Sequence, residues 1–302
     1  MTSPRAMRLH LEDVYKSYGP KLVLENIDLA VREGELCSLV GPSGCGKSTL
    51  FRIVLGQEVA SAGRVLVDGQ PVGPPAPDRG IVYQKYSLFP HLTVLDNVLL
   101  GKRLSSGWFE AQRRRQEFRD EAMGYLERMR LAGHAEKYPH ELSGGMQQRV
   151  AIAQALIMKP RVLMMDEPFG ALDPDTREDM QVFLLELWDQ HRMTVFLVTH
   201  DMHEAVFVGT RVLVLSQHYT DDRGQTAPRG SRIVGDYPLP NAIYSTKVKT
   251  SPEFLDTVEE IRRVGFDPEH LRHVTEFNLR HADSFQTLTV EEHAARASSV
   301  PG

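Results

Sequence analysis

Residues 41–49 read Gly-Pro-Ser-Gly-Cys-Gly-Lys-Ser-Thr, an order that suits the binding of a triphosphate. The glycines allow the backbone to wrap closely, so that several N–H groups can donate hydrogen bonds to phosphate oxygens. Lys47 is expected to reach the β- and γ-phosphates, and Ser48 to offer its hydroxyl to Mg²⁺. The nucleotide-binding residues predicted from this segment are Gly41, Pro42, Ser43, Gly44, Cys45, Gly46, Lys47, Ser48 and Thr49.

Two acidic residues, Asp166 and Glu167, end an apolar run that covers residues 162–165. We expect Asp166 to support the Mg²⁺ through a water molecule or through Ser48. Glu167 is the better candidate for a general base that polarises the attacking water, and a positioned base typically contributes about 10²–10⁴-fold in rate. A surface turn is the alternative for an Asp-Glu pair. It is disfavoured because apolar residues precede the pair and a phosphate loop is present.

Polar residues also follow two other apolar runs. Gln84 comes directly after residues 80–83, and His200 follows residues 195–199. Ligands of an open parallel sheet bind at the carboxyl ends of its strands, so either side chain could reach a γ-phosphate or its water. Taken alone, each would more often be an ordinary loop residue.

Residues 142–149 read Leu-Ser-Gly-Gly-Met-Gln-Gln-Arg and lie between the loop and the two acids. Ser143 and two glycines precede a helical pattern over residues 146–156, which makes a second helix start that can bind an anion. A single chain has no second triphosphate for this helix start. The segment therefore indicates an active site shared between two copies, and a capped helix in a monomer is the alternative.

The strands that must position these residues are visible as apolar patterns. Alternating apolar and polar residues predict antiparallel strands at residues 9–14 and 22–31. Residues 35–40 are predicted to form a short apolar strand that runs into the phosphate loop, and the apolar runs at residues 162–165 and 194–198 predict buried parallel strands.

Helical patterns fill most of the remaining chain. Helices are predicted at residues 48–55, 175–191 and 251–274 and through most of residues 92–156. Residues 217–231 are polar, with two glycines and a proline, and are expected to form a mobile hairpin or loop. The tail from about residue 290 is expected to be poorly ordered.

Composition excludes several classes of protein. A 302-residue chain with 41% hydrophobic and 25% charged residues is that of an ordinary globular protein. Its net charge of −5 gives no support for a nucleic-acid partner. The two cysteines, Cys37 and Cys45, are expected to be reduced thiols. No signal-peptide pattern and no run of the ~20 apolar residues of a membrane span occurs, so attachment to a membrane would need another protein.

With these motifs in order, the chain resembles the ATP-binding cassette ATPases over residues 7–240. Residues 41–49 look like the Walker A motif, Gln84 like the Q-loop glutamine, residues 142–149 like the signature motif, residues 162–167 like Walker B, residues 171–173 like the D-loop and His200 like the switch histidine. Tyr18 looks like the aromatic residue that stacks on adenine, and Tyr15 is its rival for that role.

The resemblance implies an α/β fold: a P-loop NTPase core, mostly parallel sheet flanked by helices, with an antiparallel β subdomain and an inserted α-helical signature subdomain at about residues 88–160. Residues 241–302 would form a C-terminal helical extension with a disordered tail. ATP and Mg²⁺ are the implied cofactors, with Ser48, Gln84 and Asp166 on the metal.

The resemblance also implies a head-to-tail dimer, formed with a second copy or with a paralogous ATPase. ATP held by Lys47 of one chain would meet residues of the other chain. Those residues are Ser143, Gly144 and Gly145, with Asp173 in the D-loop.

Finer motifs at residues 78–84, 88–97 and 166–173 look like those of bacterial importers, most closely the nitrate, sulfonate or taurine type. Such a subunit works at the cytoplasmic side of the inner membrane with an integral-membrane permease. A periplasmic or lipoprotein solute-binding protein takes part indirectly. The apolar residues that could contact the permease, or could equally be core, are Tyr86, Leu88, Phe89 and Pro90.

Other classes remain as rivals. A P-loop kinase or GTPase would leave residues 142–149 without a role, and the guanine motif Asn-Lys-x-Asp is absent. A soluble cassette protein of repair or translation would usually carry paired cassettes. An exporter or lipid-transport ATPase would share the catalysis and differ in its permease. Gln154 departs from the arginine usual in the family, and the segments at residues 105–116 and 218–231 look longer than usual.

Overall fold

The fold is seen in a computed structural model, which describes residues 6–84, 87–224, 228–239 and 246–288. Tyr86 and the tail from residue 290, on which two sequence predictions fall, lie outside the described residues. Two compact units divide the chain, one from the described residues of Met1–Pro75 and Leu197–Gly302 and the other from Ala76–Phe196. They are called the first and second unit below.

The strands and helices follow one another along both units. The strands are β1 (Met7–Tyr18), β2 (Lys21–Arg32), β3 (Leu36–Val40), β4 (Ala62–Val67), β5 (Gln70–Pro71), β6 (Arg79–Val82), β7 (Val162–Asp166), β8 (Thr194–Val198), β9 (Arg211–Ser216), β10 (Tyr219–Thr220), β11 (Arg232–Pro238), β12 (Arg272–His273) and β13 (Asn278–Leu279). The helices are α1 (Lys47–Val54), α2 (Val94–Ser105), α3 (Trp108–Arg113), α4 (Arg115–Arg128), α5 (Gly144–Leu156), α6 (Pro174–His191), α7 (Met202–Val208) and α8 (Pro252–Phe266).

The first unit contains the antiparallel sheet that the alternating pattern predicts. Its order is β2-β1-β4-β5, and β1 pairs with β2 so that Leu11 opposes Leu29 and Val14 opposes Ile27. These four side chains are at most 3% exposed. Ile27 and Leu29 share the packed face because they lie two residues apart, whereas Leu11 and Val14 lie three apart and share it because a bulge shifts the register between them. The antiparallel strands predicted at residues 9–14 and 22–31 are therefore confirmed and extend further at both ends.

A second sheet of the first unit carries the strand that leads into the phosphate loop. Strand β3 is parallel to β9, which pairs antiparallel with β11, and β11 is parallel to β13. All five residues of β3 are buried, since α7 packs against this strand while α8 packs against β9. This burial explains why β3 is mostly apolar, with Ser38 as its one polar residue, and does not alternate.

The second unit brings two strand ends to the same edge. Strands β6 and β7 are parallel neighbours, with Gly80 opposite Leu163 and Val82 opposite Met165. Helices α2, α4 and α5 pack on one another, and α5 also contacts β6. The helical stretch predicted over residues 92–156 is interrupted at Gly107, whose φ of 71° is the left-handed conformation that glycine tolerates.

The C-terminal part of the first unit differs from the prediction in two places. Helix α8 ends at Phe266 and not at residue 274, because Pro268 forces the preceding Asp267 into extended backbone, with φ −86° and ψ 110°. The described part of residues 217–231 includes the short strand β10 and is joined to other elements by hydrogen bonds. There the buried Tyr219 Oη lies 3.1 Å from Glu25 Oε2, and β10 pairs with β12.

Arg211 joins several elements of the first unit through a buried ion pair. Its side chain is 1% exposed and donates to both carboxylate oxygens of Asp236, at 2.7 and 2.6 Å. It also donates to Ala30 O at 2.7 Å and to Glu35 Oε2 at 3.0 Å. Each of the three guanidinium nitrogens thus has a carboxylate or carbonyl partner, which a buried charge requires.

The segment after α8 is fastened to the same region. The backbone amide of Arg280 donates to the carbonyl of Asp236 at 2.8 Å, and Arg32 Nε donates to Asp283 Oδ2 at 2.7 Å.

Among the described residues, no helix is both long and apolar enough to cross a membrane.

Replacement of Arg211 tests the importance of this ion pair. The variant Arg211→Leu leaves the buried Asp236 carboxylate without its cation, removes a partner of the half-buried Glu35, and should lower the free energy of unfolding by about 3–5 kcal/mol. Arg119 pairs with Glu136 at the surface, where side chains are 47% and 72% exposed, and Arg119→Leu should cost about 0–1 kcal/mol. Urea titration with an unchanged m-value measures both, and equal losses in the two variants would contradict the assignment.

Candidate functional site

The phosphate loop runs from the end of β3 to the start of α1 in the first unit, where residues 41–46 connect the two elements. Gly44 and Gly46 have φ values of 78° and 97°, which residues with a Cβ rarely adopt. A Cβ at Gly41 would lie 2.1 Å from the backbone oxygen of Leu215. Gly44 and Gly46 therefore allow the turn of the loop, and Gly41 allows the loop to approach β9 closely.

Lys47 lies against the loop itself. Its Nζ donates to the carbonyls of Gly41 at 2.7 Å and Pro42 at 2.9 Å, and lies 3.8 Å from Cys45 Sγ. Burial raises the pKa of the Cys45 thiol, which keeps it in the neutral form even beside an ammonium group. Cys37 is also buried and free, as reduced thiols in a globular core would be.

A cleft of 320 Å³ in the first unit brings Tyr18 together with the loop. The residues that line it are Tyr18, Lys21, Val23, Gly44, Gly46, Lys47, Ser48 and Thr49. The Tyr18 side chain is 43% exposed, whereas Tyr15 is half-buried and burial raises the pKa of its hydroxyl. Of the two tyrosines, Tyr18 is the one with a ring available beside the loop.

His200 follows β8 and is placed near the start of the loop by backbone pairing. The amide of Thr199 donates to the carbonyl of Leu39 at 3.3 Å, and Leu39 lies two residues before Gly41. His200 itself is exposed, and Asp201 caps α7 by accepting hydrogen bonds from two backbone amides. His200 thus lies at the carboxyl end of a strand, where ligands of an open parallel sheet bind.

In the second unit, the predicted glutamine and general base are in direct contact. Gln84 Nε2 donates to Glu167 Oε2 at 2.7 Å, because β6 and β7 end at the same edge. Glu167 has a φ of 47°, a left-handed conformation that costs a non-glycine residue about 1–3 kcal/mol. Asp166, the last residue of β7, is half-buried. Backbone strain at a candidate base, held by a neighbouring amide, is typical of a functional site.

The signature segment starts α5 in the same unit. Ser143 is exposed and its Oγ accepts a hydrogen bond from the Met146 amide at 3.3 Å, as an N-cap residue does. A Cβ at Gly145 would lie 3.2 Å from Leu172 Cδ2, so this helix start is packed against the loop before α6. Asp173 caps α6 by accepting from the Thr176 amide at 3.0 Å, and this hydrogen bond lowers the pKa of its carboxyl.

One group near the cleft was missed from the sequence. Glu58, Arg52 and Lys16 surround the Tyr18 side chain. Glu58 lies forty residues from Tyr18 in the sequence, and no motif joins the two, so only the fold brings them together.

Comparison with known proteins identifies the family. Residues 24–170 match the model of the family described as ABC transporter. The chain is 42% identical over 262 residues to a nitrate import ATP-binding protein of Synechocystis, covering 84% of this chain and 94% of that one. It is 41% identical over 258 residues to a taurine import ATP-binding protein of Rhizobium johnstonii, covering 82% and 91%. A solved dimeric ATP-binding cassette in a post-hydrolysis state with ADP and Pi matches with a TM-score of 0.64 and 31% identity, covering 77% of this chain and 99% of that one.

The chain therefore belongs to the ABC transporter family, as an ATP-binding protein with the α/β fold of P-loop NTPases. It is an ABC-type ATP hydrolase, and the family and fold class expected from the motifs are confirmed.

Replacement of Gly41 tests the packing of the loop against β9. The methyl group of Gly41→Ala would clash with the Leu215 carbonyl, so the loop would have to shift. Overpacking of this kind typically costs about 1–3 kcal/mol. We expect ATP affinity, measured by calorimetry, to fall by about tenfold or more. Gly73→Ala is the matched control, since nothing lies within 4 Å of its Cβ position, and it should bind ATP normally. Normal binding by Gly41→Ala would show that the loop does not depend on this contact.

Proposed function

We propose that the chain is the ATP-hydrolysing subunit that powers a bacterial importer of a small solute such as nitrate, taurine or another sulfonate. The support for ATP hydrolysis by these residues is the contact of Gln84 with the strained Glu167, together with a glycine loop that carries Lys47. The support for import is similarity to import ATP-binding proteins along nine-tenths or more of their length.

The site residues divide the work of the reaction, which is the attack of water on the γ-phosphate of ATP. Glu167 accepts a proton from the attacking water, and Gln84 holds the Glu167 carboxylate in place through its amide nitrogen. Lys47 and the loop amides stabilise the negative charge that spreads over the phosphate oxygens. His200 donates to the γ-phosphate, and Tyr18 stacks on the adenine. Catalysis is thus mostly positioning and charge stabilisation.

Mg²⁺ fits the donor set on this chain. Ser48, Asp166 and Gln84 each offer oxygen, the ligand that Mg²⁺ prefers, and the contact of Gln84 with Glu167 uses its nitrogen and not its oxygen. When bound, the ion supplies charge neutralisation for the phosphates of ATP. Ser48 would hold it from the first turn of α1, and Asp166 would do so from the end of β7.

Two copies, or one copy and a paralogous ATPase, complete each active site. The exposed N-terminus of α5 presents Ser143, Gly144 and Gly145 to the triphosphate held by the other chain. Asp173 fixes the start of α6 beside that helix, which keeps the D-loop in register with the signature motif. ATP closes the dimer, and hydrolysis with release of phosphate opens it.

An integral-membrane permease is the proposed partner, with a periplasmic or lipoprotein solute-binding protein acting indirectly. The chain would then lie at the cytoplasmic side of the inner membrane. Phe89 supports this arrangement, because it is 43% exposed while Asn97, which is fully buried, holds its backbone carbonyl and amide. A rigid backbone that presents an apolar ring to solvent is suited to a protein contact.

Purification with the membrane subunit tests the transport assignment. The complex in lipid vesicles should hydrolyse ATP faster when the solute-binding protein and nitrate or taurine are added. Stimulation by a lipid or a drug-like substrate without any binding protein would instead indicate an exporter.

The role of Glu167 is tested by Glu167→Gln, which keeps the shape of the side chain and removes the base. The turnover number should fall by about 10²–10⁴-fold, while ATP binding is retained and dimers accumulate with ATP. Glu127→Gln removes an exposed carboxylate from α4 and should hydrolyse ATP normally. Phosphate release and light scattering measure turnover and dimers, and unchanged turnover in Glu167→Gln would remove Glu167 from the mechanism.

A further inference from the structure

The hydroxyl of Tyr18 is held by a network of charged side chains. It donates to Glu58 Oε2, and Arg52 Nη2 lies 3.4 Å from the same hydroxyl oxygen. Glu58 in turn pairs with Arg52 Nε at 2.5 Å and with Lys16 Nζ at 3.4 Å. The carboxylate is therefore fixed by two cations, and the tyrosine is fixed by the carboxylate.

The face of the Tyr18 ring is constrained as well. Lys16 Nζ lies 4.9 Å from the ring centroid and donates to the carbonyl of Val59 at 2.9 Å, so a cation tied to the backbone covers the ring. Because an exposed tyrosine would otherwise rotate freely about its side-chain bonds, these contacts select one ring orientation out of several.

The network also reaches the phosphate loop. Arg52 Nη2 donates to Thr49 Oγ1 at 3.3 Å, and Thr49 is the last residue of the loop motif. The hydrogen bond from Tyr18 lowers the pKa of the Glu58 carboxyl, so this group stays ionised at neutral pH and keeps its bonds to the cations. One set of side chains thus connects the candidate adenine contact with the candidate triphosphate contact.

We propose that Glu58 is a positioning residue that fixes the Tyr18 ring relative to the phosphate loop, so that the base and the triphosphate of ATP bind together. This rests on the proposed role of Tyr18 as the residue that stacks on adenine. Glu58 acts only through Tyr18. Because the ring is already held in one orientation, ATP binding does not have to order it, and the affinity for ATP is higher.

The test compares Mg-ATP with Mg-tripolyphosphate, which has the phosphates and lacks the base, by calorimetry on the full chain. Glu58→Met removes the acceptor and Tyr18→Phe removes the donor. Each should weaken ATP binding by about three- to tenfold, the effect of one hydrogen bond, and leave tripolyphosphate binding unchanged. The double variant should be no weaker than either single one, because both remove the same bond. Glu12→Met, which removes a carboxylate paired with Arg64 on the same sheet, is the control and should bind both ligands normally.

The possible outcomes separate this proposal from the role of Tyr18 itself. If Tyr18→Ala weakens ATP but Glu58→Met and Tyr18→Phe do not, Tyr18 contacts the base and the positioning role of Glu58 is wrong. If Glu58→Met weakens ATP and tripolyphosphate equally, it acts through the loop, and the proposal is also wrong. If Tyr18→Ala leaves the ratio of the two affinities unchanged, the adenine contact lies elsewhere and the proposed role of Tyr18 fails.

Discussion

A phosphate loop binds a triphosphate more tightly when its backbone amides are already held in place, and the buried strand β3 holds the start of the loop here. All five residues of β3 are buried, between the strands and helices of the first unit. The loop then leaves the strand at Gly41, where only the absence of a Cβ allows contact with the Leu215 carbonyl. Arg211 and the segment after α8 stabilise the same region, so the C-terminal residues contribute to the platform on which the loop is built.

The second unit positions the carboxylate of Glu167, which we propose as the general base. The parallel pairing of β6 and β7 places Gln84 against Glu167, and the left-handed backbone of Glu167 is maintained by the elements around it. The start of α5 lies in the same unit and leaves Ser143 exposed. A helix start that can bind an anion but is directed to solvent has a use only when another molecule brings the anion. This exposure supports the proposal that two chains together form each active site.

The parts of the candidate site that lie within one short stretch of sequence could be predicted from their motifs. Contacts between residues that are far apart in the sequence could not, because only the fold brings them together. The loop, its strand and helix, and the acids after β7 are each continuous in sequence, so their motifs predict them. The contact of Glu58 with Tyr18 has no such signal. Residues 217–231 looked mobile because they are polar, yet Tyr219 is buried against Glu25, a partner that the fold supplies. The end of α8 could have been read from Pro268, since the residue before a proline disfavours helix.

If each active site takes residues from two chains, two inactive variants should restore activity when they are mixed. Lys47→Ala breaks the phosphate loop, and Ser143→Arg blocks the signature helix. Each variant alone should be inactive, whereas a mixed dimer has one intact site, with Lys47 from one chain and Ser143 from the other. An equimolar mixture should therefore recover ATP hydrolysis, measured as phosphate release. If the mixture stays as inactive as its components, although both variants are folded and associate, the shared site is contradicted.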